Sequence, residues 1–285
     1  MDLSLYGGTG LIGSYFYGAY ASCVVPRERL YPFSKRVLYL ISTTDNKTFK
    51  ENPHIDVETN LVVLLKRLEA CREFGVKEFN FISSWFVYGP EHEHPNEDSF
   101  CNPNGFYSIT KYTAERLVKE YCKEHGIAYR ILRLGNVYGG PDNGNIKRNA
   151  LHFLVNKLKN NEDVLVHLNL SRDFIHMMDA CRAIDFVCTA GELNETYNIG
   201  TGIATNLGSA LDQANRILGT DACVSRVDTP TNYDQAVRFS LDCTKLQALG
   251  FKHLIPIEEG IKDLCLSRKF STPDPILMGK KLLKQ

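Results

Sequence analysis

A tyrosine and a lysine stand four residues apart at Tyr107 and Lys111, in a stretch rich in helix-forming residues. This spacing places both side chains on one face of a helix. A neighbouring ammonium group stabilises a phenolate, so it would lower the pKa of the tyrosine from about 10 toward neutrality. Such a tyrosine can exchange a proton with a hydroxyl or carbonyl while a nicotinamide carries hydride. Alone, the Tyr-x-x-x-Lys pattern is weak evidence, because most chance matches are surface pairs on helices.

A pair of serines, Ser83 and Ser84, follows an apolar stretch that reads as a buried strand. A hydroxyl at the carboxyl end of a strand can hydrogen-bond a reacting oxygen, and open α/β sheets bind their ligands at that edge. The alternative is a turn serine that caps the next segment, which is the commoner use of Ser-Ser.

Near the start of the chain, a short strand runs into a glycine-rich turn that opens a helix. Glycines at this spacing allow a tight turn, a close approach of the backbone to a pyrophosphate, and close packing of helix on strand. The exposed N–H groups and the positive helix end would hold the anion. The alternative is a glycine-rich turn with no ligand. The residues assigned to a dinucleotide in this turn are Gly7, Thr9, Gly10, Leu11, Ile12 and Gly13.

The second strand, Cys23–Val25, should end in an acidic residue if the ribose 2′-hydroxyl of NAD is bound in the usual way. It runs instead into a segment that contains Arg27 and Arg29. Arginine suits a 2′-phosphate, which favours NADP over NAD. A solvated basic loop is the alternative, and Glu28 could still take the ribose role.

Strands and helices alternate through the first half of the chain, which predicts an α/β fold with a doubly wound parallel sheet. The second half is less regular, and we expect a smaller C-terminal α/β substrate-binding region. The dinucleotide-binding domain is expected at 1–137, with 174–200 returning to it, and the substrate-binding region at 138–173 and 201–285. The predicted strands are 2–6, 23–25, 37–41, 78–83, 128–134 and 195–199, and the predicted helices are 56–74, 107–125, 149–158, 179–189, 207–218 and 257–269.

The composition narrows the class of protein. The 285 residues carry 33 basic and 33 acidic side chains, so the basic excess of a general nucleic-acid binder is missing. No stretch approaches the roughly 20 apolar residues of a membrane-spanning helix. Nine scattered cysteines without a Cys-x-x-Cys pair indicate a reducing compartment, with no disulfide framework and no zinc site. We therefore expect a cytoplasmic protein with no bound metal, no nucleic-acid partner and no membrane partner.

Taken together and in order, the motifs resemble those of the extended short-chain dehydrogenase/reductases, the NAD-dependent sugar-nucleotide epimerase/dehydratase family. The resemblance rests on the glycine turn, on the serine motif 83–89 with its Val-Tyr-Gly end, on Tyr107 and Lys111, and on 133–139, 172–176 and 197–200. It implies a Rossmann fold, NAD or NADP as cofactor, and a catalytic triad of Ser84, Tyr107 and Lys111.

The resemblance also implies a nucleotide diphosphate sugar as substrate. It assigns Asn136, Asn149, Arg172 and Arg238 to the nucleotide or its phosphates, and arginine is apt because its planar fork donates bidentately to phosphate oxygens. A surface arginine is the alternative for Arg238.

Three further residues have open alternatives. A salt bridge to Asp173 is the alternative for Arg172. Trp85 either stacks on a sugar ring or packs against a helix. His176 is expected to be a packed histidine rather than a catalyst.

Two departures from the family pattern concern the cofactor. Only 23 residues separate Gly13 from Val37, so a third strand and part of the adenine pocket are expected to be missing. Ser42 and Thr43 stand where the family commonly has a small apolar turn. Their hydroxyls are assigned to cofactor ribose or phosphate, or simply form the turn. Asn60 is assigned to the cofactor with them.

A further departure concerns the reaction. In the family's 4,6-dehydratases an Asp-Glu pair directly follows the catalytic Ser or Thr and supplies the acid and the base, whereas this chain has Trp85 and Phe86 there. Neither side chain can exchange a proton usefully. We therefore expect hydride transfer at the sugar C4, by an epimerase or a 4-keto sugar reductase, and not a 4,6-dehydratase. The alternative is a non-catalytic nucleotide-binding regulatory protein of the same fold.

Assembly is suggested only by the resemblance. In the family, the helices that match 56–74 and 107–125 commonly pair across a two-fold axis, and their apolar rows here would permit that contact. A homodimer is the expectation.

Overall fold

The structure is a computed structural model that describes residues 3–20, 24–43, 52–140, 150–228 and 236–266, without the side chains of 17–20. Its strands are β1 Ser4–Tyr6, β2 Arg36–Tyr39, β3 Glu78–Ser84, β4 Ala128–Leu134, β5 Asn136–Tyr138, β6 Val164–His167, β7 Ser171–His176, β8 Glu195–Ile199, β9 Ala204–Asn206 and β10 Val224–Val227. Its α-helices are α1 Leu11–Tyr20, α2 His54–Val57, α3 Val63–Phe74, α4 Phe106–Glu124, α5 Ala150–Lys159, α6 Met177–Ala190, α7 Leu207–Leu218, α8 Thr244–Ala248 and α9 Ile257–Leu266.

The central sheet has five parallel strands in the order β1-β2-β3-β4-β8. On the side of β1 away from β2, Leu5 forms a single parallel bridge with Val24. The chain therefore leaves β1 on one side and returns to β2 on the other, and this reversal of strand order opens a crevice at the carboxyl ends of β1 and β2. The predicted doubly wound parallel sheet is confirmed.

Apolar side chains cover both faces of this sheet. One layer joins α1 and α6 to the sheet, and a second joins α3 and α4 to the opposite face. The strands are buried on both faces, as expected of a parallel sheet. The sheet is therefore shielded from water on both faces, and its carboxyl edge remains available for polar groups.

The short second strand is reduced to the bridge at Val24, and the loop after it is fixed to the edge of the sheet. The Tyr6 hydroxyl donates to the carbonyl of Leu30 at 2.6 Å, and the Ser4 hydroxyl accepts from the N–H groups of Phe33 and Ser34, both at 2.8 Å. Within the described part of the chain, no third strand lies outside Val24. The missing strand agrees with the short spacing in the sequence.

The second half of the chain adds two small sheets. The first has the order β5-β7-β9, and the second pairs β6 with β10 in parallel. Helices α5, α7 and α9 pack on these strands around their own apolar cluster. The sequence patterns missed β5, β6, β7, β9 and β10, because strands of three to six residues give too little periodicity to detect.

A buried ion pair connects helix α4 to strand β4. Arg133 binds Glu115 through two hydrogen bonds, of 3.1 and 2.9 Å, and both side chains are almost fully buried. The paired bonds satisfy both charges, which water would otherwise have to solvate. This pair fixes α4, which carries Tyr107 and Lys111, against the middle of the sheet.

Among the described residues, no helix is long and apolar enough to cross a membrane. In the same part of the chain, no group of three or more His, Cys, Asp or Glu side chains is arranged to hold a metal ion. The described cysteines carry free thiols.

Candidate active site

The glycine turn after β1 has a conformation that only glycine tolerates well. Gly7 has φ 94°, and a Cβ there would lie 3.0 Å from the backbone nitrogen of Ile41. A Cβ on Gly13 would lie 2.0 Å from the carbonyl oxygen of Gly7. These close approaches bring the start of α1 and the segment after β2 against the turn.

The turn leads directly into the positive end of α1. Gly10 donates to the carbonyl of Gly7 at 3.1 Å, and Leu11, Ile12 and Gly13 begin the helix with N–H groups that have no acceptor within it. Thr9 is exposed at the tip of the turn. The absence of a Cβ, together with the N–H groups and the helix end, fits a dinucleotide pyrophosphate.

Ser84 and Tyr107 meet at the carboxyl edge of the sheet. Ser84 is the last residue of β3, and its hydroxyl accepts weakly from the N–H of Phe86 at 3.4 Å. The side chain of Tyr107, in the first turn of α4, hydrogen-bonds both Ser84 and Ser42. Phe86 packs edge-to-face on the Tyr107 ring, with centroids 5.9 Å apart. The serine both caps the turn after β3 and contacts the phenol.

Lys111 lies one helical turn after Tyr107 and is buried. Its ammonium group donates to the carbonyl of Ile82 at 2.6 Å and lies 4.3 Å from the ring centroid of Phe81. Burial lowers the pKa of Lys111 to about 7, although the nearby Glu115 opposes this. Because the ammonium group is shielded from water, the protonated form of Lys111 is disfavoured.

The tyrosine does not have the lowered pKa that the sequence suggested. Burial raises the pKa of Tyr107, and the negative charge of Asp56 raises it further, whereas the bonds to Ser84 and Ser42 act in the opposite direction. Burial is the largest cause of this rise, and the spacing of Tyr107 and Lys111 in the sequence does not report it.

Ser42, Thr43 and Asn60 form one polar array beside Tyr107. Asn60 lies in a π-helical turn, Glu58–Val62, between α2 and α3, and such turns often occur at functional sites. Its side-chain oxygen accepts from the hydroxyl of Ser42 and from the N–H of Thr43, both at 3.1 Å. The turn is thus tied to the carboxyl end of β2.

The sequence analysis missed Asp56, which hydrogen-bonds the Thr43 hydroxyl. The available signal was its spacing of four residues before Asn60, which places both side chains on one face of a helix.

Arg27 and Arg29 lie at the surface, in the loop fixed against the sheet edge. The Arg29 guanidinium donates to the carbonyl of Tyr31 at 2.9 Å and lies 4.1 Å from the ring centroid of Phe33. Arg67 on α3 donates to the backbone carbonyls of both arginines. The loop therefore presents two cations from a fixed backbone, and Glu28 between them is also exposed.

Arg172 is buried and binds the backbone of a neighbouring segment. It donates to the carbonyls of Ser171 and Ala236, both at 2.8 Å, and to that of Val237 at 3.1 Å. Its guanidinium lies 5.3 Å from the ring centroid of Trp85. Arg172 thereby fixes the segment that presents the exposed Arg238.

Asp173 is the partner that the sequence offered as the alternative for Arg172. The Asp173 carboxylate is fully buried and accepts from the N–H and hydroxyl of Thr201 and from the N–H groups of Gly202 and Leu241. It joins β7 to two other segments. This residue was missed as a structural centre because its partners are distant in sequence.

Trp85 is buried against Phe86 and Phe239, with ring centroids 4.2 and 4.3 Å apart. It packs on these aromatic neighbours, and its exposed fraction is 3% in this arrangement.

Asn136 and His176, two further residues singled out in the sequence, lie at the start of β5 and at the end of β7. The Asn136 amide donates to the carbonyl of Asp173 at 3.3 Å. His176 is buried and its Nδ1 accepts from the N–H of Met178 at the start of α6, and burial lowers its pKa to about 4. His176 is thus a neutral, packed helix cap. Asn149 lies outside the described residues.

The sequence was compared with models of known families. The model of the NAD dependent epimerase/dehydratase family matches residues 35–200, which is more than half of the chain. The chain belongs to this family. The match begins after the glycine turn and covers Ser84, Tyr107 and Lys111.

Two curated relatives show the range of named activities in the family. The chain is 31% identical over 216 residues to a putative UDP-glucose 4-epimerase of Methanocaldococcus jannaschii, and the match covers 74% of this chain and 70% of that protein. It is 27% identical over 248 residues to a dTDP-glucose 4,6-dehydratase of Streptomyces griseus, which covers 84% and 73%. The match spans 56% of the length of a mouse dTDP-D-glucose 4,6-dehydratase.

Solved structures share the fold. A UDP-glucose 4-epimerase from Thermotoga maritima, solved with UDP-glucose, matches with a TM-score of 0.81 at 22% identity over 100% of both chains. RMD from Pseudomonas aeruginosa, complexed with NADPH, matches with a TM-score of 0.82 at 19% identity over 93% of this chain and 98% of that one.

The lowered pKa of Lys111 predicts a pH-dependent stability. The unfolded chain binds a proton at this lysine up to a pKa near 10.5, and the folded chain only up to about 7. The free energy of unfolding, relative to that of Lys111→Met, should therefore rise from pH 7 to pH 10 by on the order of 1 kcal/mol per pH unit. Urea unfolding of both proteins at several pH values measures this, and parallel profiles would contradict it.

Proposed function

We propose that this chain is an NAD(P)-dependent enzyme that acts on a nucleotide diphosphate sugar by hydride transfer at the sugar C4. The observation that carries the proposal is the hydrogen bond between Ser84 and Tyr107 at the carboxyl edge of the sheet, beside the crevice opened by the glycine turn. Membership in the family and the chemistry of a phenol paired with a hydroxyl support it.

The cofactor is held by backbone and side-chain groups of the first half of the chain. The N–H groups of Leu11, Ile12 and Gly13 would receive the pyrophosphate, and Lys111 would bind the nicotinamide ribose. Asn60 is assigned to the same cofactor by the family pattern. The bound nicotinamide supplies the site that accepts or gives hydride. The hydroxyls of Ser42 and Thr43 line the same side of the crevice.

Two side chains act at the sugar oxygen. Tyr107 gives a proton to a C4 carbonyl oxygen, or takes one from a C4 hydroxyl, and Ser84 donates a hydrogen bond to the same oxygen. Tyr107 therefore changes its protonation state in the reaction, whereas Ser84 stabilises charge on the oxygen.

The nucleotide end of the substrate binds the second half of the chain. Arg238 is exposed and can place its fork against phosphate oxygens, and Arg172 acts by fixing the segment on which Arg238 lies. Asn136, at the base of this region, and Asn149 are assigned to the nucleotide by the family pattern.

A 4,6-dehydratase is disfavoured by the residues that follow Ser84. Elimination of water across C5 and C6 needs an acid and a base, whereas Trp85 is buried among aromatic rings and Phe86 has no donor or acceptor. In the segment beyond Gly89, Glu91 accepts from the Asn102 amide and His94 bonds Ser240.

Removing the phenol hydroxyl tests the proton transfer. Tyr107→Phe keeps the ring packing on Phe86 but cannot exchange a proton, so turnover should fall by at least about 10²–10⁴-fold. Cofactor binding, followed by the fluorescence of NADPH or NADH, should survive. Turnover close to that of the unaltered enzyme would remove Tyr107 from the mechanism. If neither dinucleotide binds the unaltered protein, the non-catalytic reading is favoured instead.

The products distinguish the reactions of the class. UDP- and dTDP-glucose incubated with the protein and NAD should give the C4 epimer if the enzyme is an epimerase, with the cofactor regenerated. Consumption of NADPH with a 4-keto sugar would identify a reductase. A 4-keto-6-deoxy product, identified by mass, would overturn the exclusion of dehydration. Mass analysis of cofactor released on denaturation provides an independent measurement.

The two exposed arginines test the cofactor preference, which we propose to be for NADP. Replacing both Arg27 and Arg29 with Ala should weaken NADPH binding by about tenfold or more and NADH binding less, because charge-assisted hydrogen bonds to the 2′-phosphate are lost. Arg216→Ala, at an exposed position on α7, is the matched control. Equal losses for both cofactors would show that the arginines do not read the 2′ position.

We also propose a homodimer formed by the helical segment 54–74, which contains α2 and α3, and by helix α4. Large apolar side chains are exposed on both, namely Ile55 and Val57 on the segment and Phe106 and Ile109 on α4. An isologous pairing would bury them.

A further inference from the structure

Asp56 is a buried carboxylate that packing does not account for. Its side chain is fully shielded from water. One oxygen accepts from the Thr43 hydroxyl, and the other has no hydrogen-bond partner among the described residues. Burying such a group costs free energy, because both carboxylate oxygens lose their hydrogen bonds to water and only one of them gains a partner in the protein. Burial accordingly raises the pKa of Asp56. Its presence therefore calls for a reason other than stability.

Asp56 stands at one end of a connected set of polar groups. A carboxylate can only accept hydrogen bonds, so the Thr43 hydroxyl must direct its hydrogen to Asp56. The oxygen of that hydroxyl is then left to accept from the Asn60 amide nitrogen, which lies 2.9 Å away. The carboxylate thus fixes both the position and the polarity of the Thr43 side chain.

The Asn60 amide is held in one orientation by its other partners. Its second N–H donates to the Thr110 hydroxyl at 3.0 Å, and that hydroxyl directs its own hydrogen to the backbone carbonyl of Tyr107. Its oxygen accepts from the N–H of Thr43. The Asn60 oxygen therefore faces the Ser42 hydroxyl as an acceptor, at 3.1 Å.

Ser42 is the member of the array that contacts the tyrosine. Its hydroxyl lies 3.1 Å from the Asn60 side-chain oxygen and 3.0 Å from the Thr43 carbonyl, which hold it in place. The bonds of Ser42 and Ser84 to the phenol lower the pKa of Tyr107. An amide in the middle cannot pass a proton along, so this array orients groups and does not conduct protons.

We propose that Asp56 is a positioning residue for Tyr107. By anchoring Thr43, it holds the array of Thr43, Asn60 and Ser42 in the arrangement that places the Ser42 hydroxyl against the Tyr107 phenol. This inference rests on the proposed function in one respect, namely that Tyr107 is the proton carrier.

Among the described residues, the charges that act on the phenol and on Lys111 lie on α2, α4 and β4. Asp56 faces it from α2, and Lys111 lies one turn further along α4 with its ammonium group on the Ile82 carbonyl. Glu115 faces Lys111 from the same helix, and its charge is paired with Arg133 of β4. Removal of the Asp56 charge thus leaves the remaining charges in place.

The test is a direct titration of residue 107 that needs no substrate. A 3-fluorotyrosine installed at position 107 in the full chain reports its ionisation through the ¹⁹F chemical shift. The titration is compared in four backgrounds: otherwise unaltered, Asp56→Asn, which keeps an acceptor but removes the charge, Thr43→Val, which keeps the charge but breaks the array, and Asp221→Asn. The last replaces an exposed carboxylate far along the chain and is the matched control.

We expect the titration midpoint of residue 107 to fall in Asp56→Asn, because a nearby negative charge is removed, and to rise in Thr43→Val, because Ser42 is no longer held against the phenol. It should stay unchanged in Asp221→Asn. Thr43→Ser should restore the unaltered midpoint, because it restores the hydroxyl. If Thr43→Val leaves the midpoint unchanged, the array does not position the phenol and the proposal is overturned, whatever Asp56→Asn does. An unchanged midpoint in Asp56→Asn would overturn it as well.

Two further measurements separate this role from a structural one. A merely structural Asp56 would make Asp56→Asn less stable, whereas we expect its melting temperature to be unchanged or higher, because the variant no longer buries a charge. Where turnover is measurable, the limb of the pH–rate profile that belongs to Tyr107 should move to lower pH in Asp56→Asn. If no nucleotide sugar is turned over, the proposed function fails, but the ¹⁹F titration still decides the role of Asp56.

Discussion

The architecture of the site depends on the approach of two backbones at Gly7. A Cβ at that position would stand 3.0 Å from the nitrogen of Ile41, so the turn after β1 and the segment after β2 can touch only because the side chain is missing. Ser42 and Thr43 directly follow Ile41. The same contact that shapes the glycine turn therefore places their hydroxyls where the Asn60 amide and the Tyr107 phenol can reach them.

In the other half of the site, Asp173 and Arg172 fix neighbouring segments of the chain, as the glycine turn does in the first half. The Asp173 carboxylate binds the turn that contains Thr201 and the backbone of Leu241, and Arg172 beside it binds the carbonyls of Ala236 and Val237. Neighbouring residues on β7 thus use opposite charges to hold opposite kinds of backbone group. The carboxylate collects N–H groups, the guanidinium collects C=O groups, and the segment that carries Arg238 is fixed between them.

The sequence predicted the sheet and the principal site residues because their signals are local. A glycine spacing, a Tyr-x-x-x-Lys helix and an apolar run that ends in serine each lie within a few residues. The spacing of Asp56 before Asn60 is also local, but it does not report the contact with Thr43, which is 13 residues away and forms only when β2 and α2 come together.

The pKa of Tyr107 was misjudged for the same reason. Sequence spacing shows that Lys111 lies on the same helix face, but not that its ammonium group is directed to the carbonyl of Ile82. The direction of a flexible side chain is decided by tertiary packing, and no periodicity records it.

The shortness of the pairing at Val24 bears on how the border of the sheet resists pairing with another sheet. A strand that ends a sheet displays unpaired N–H and C=O groups, which invite another chain to add a strand and begin aggregation. Among the described residues, the outermost pairing is the single bridge at Val24, and Pro26 and the exposed Arg27 follow it within three residues. A very short edge that is followed by a proline and a charged side chain offers another chain few backbone groups to pair with.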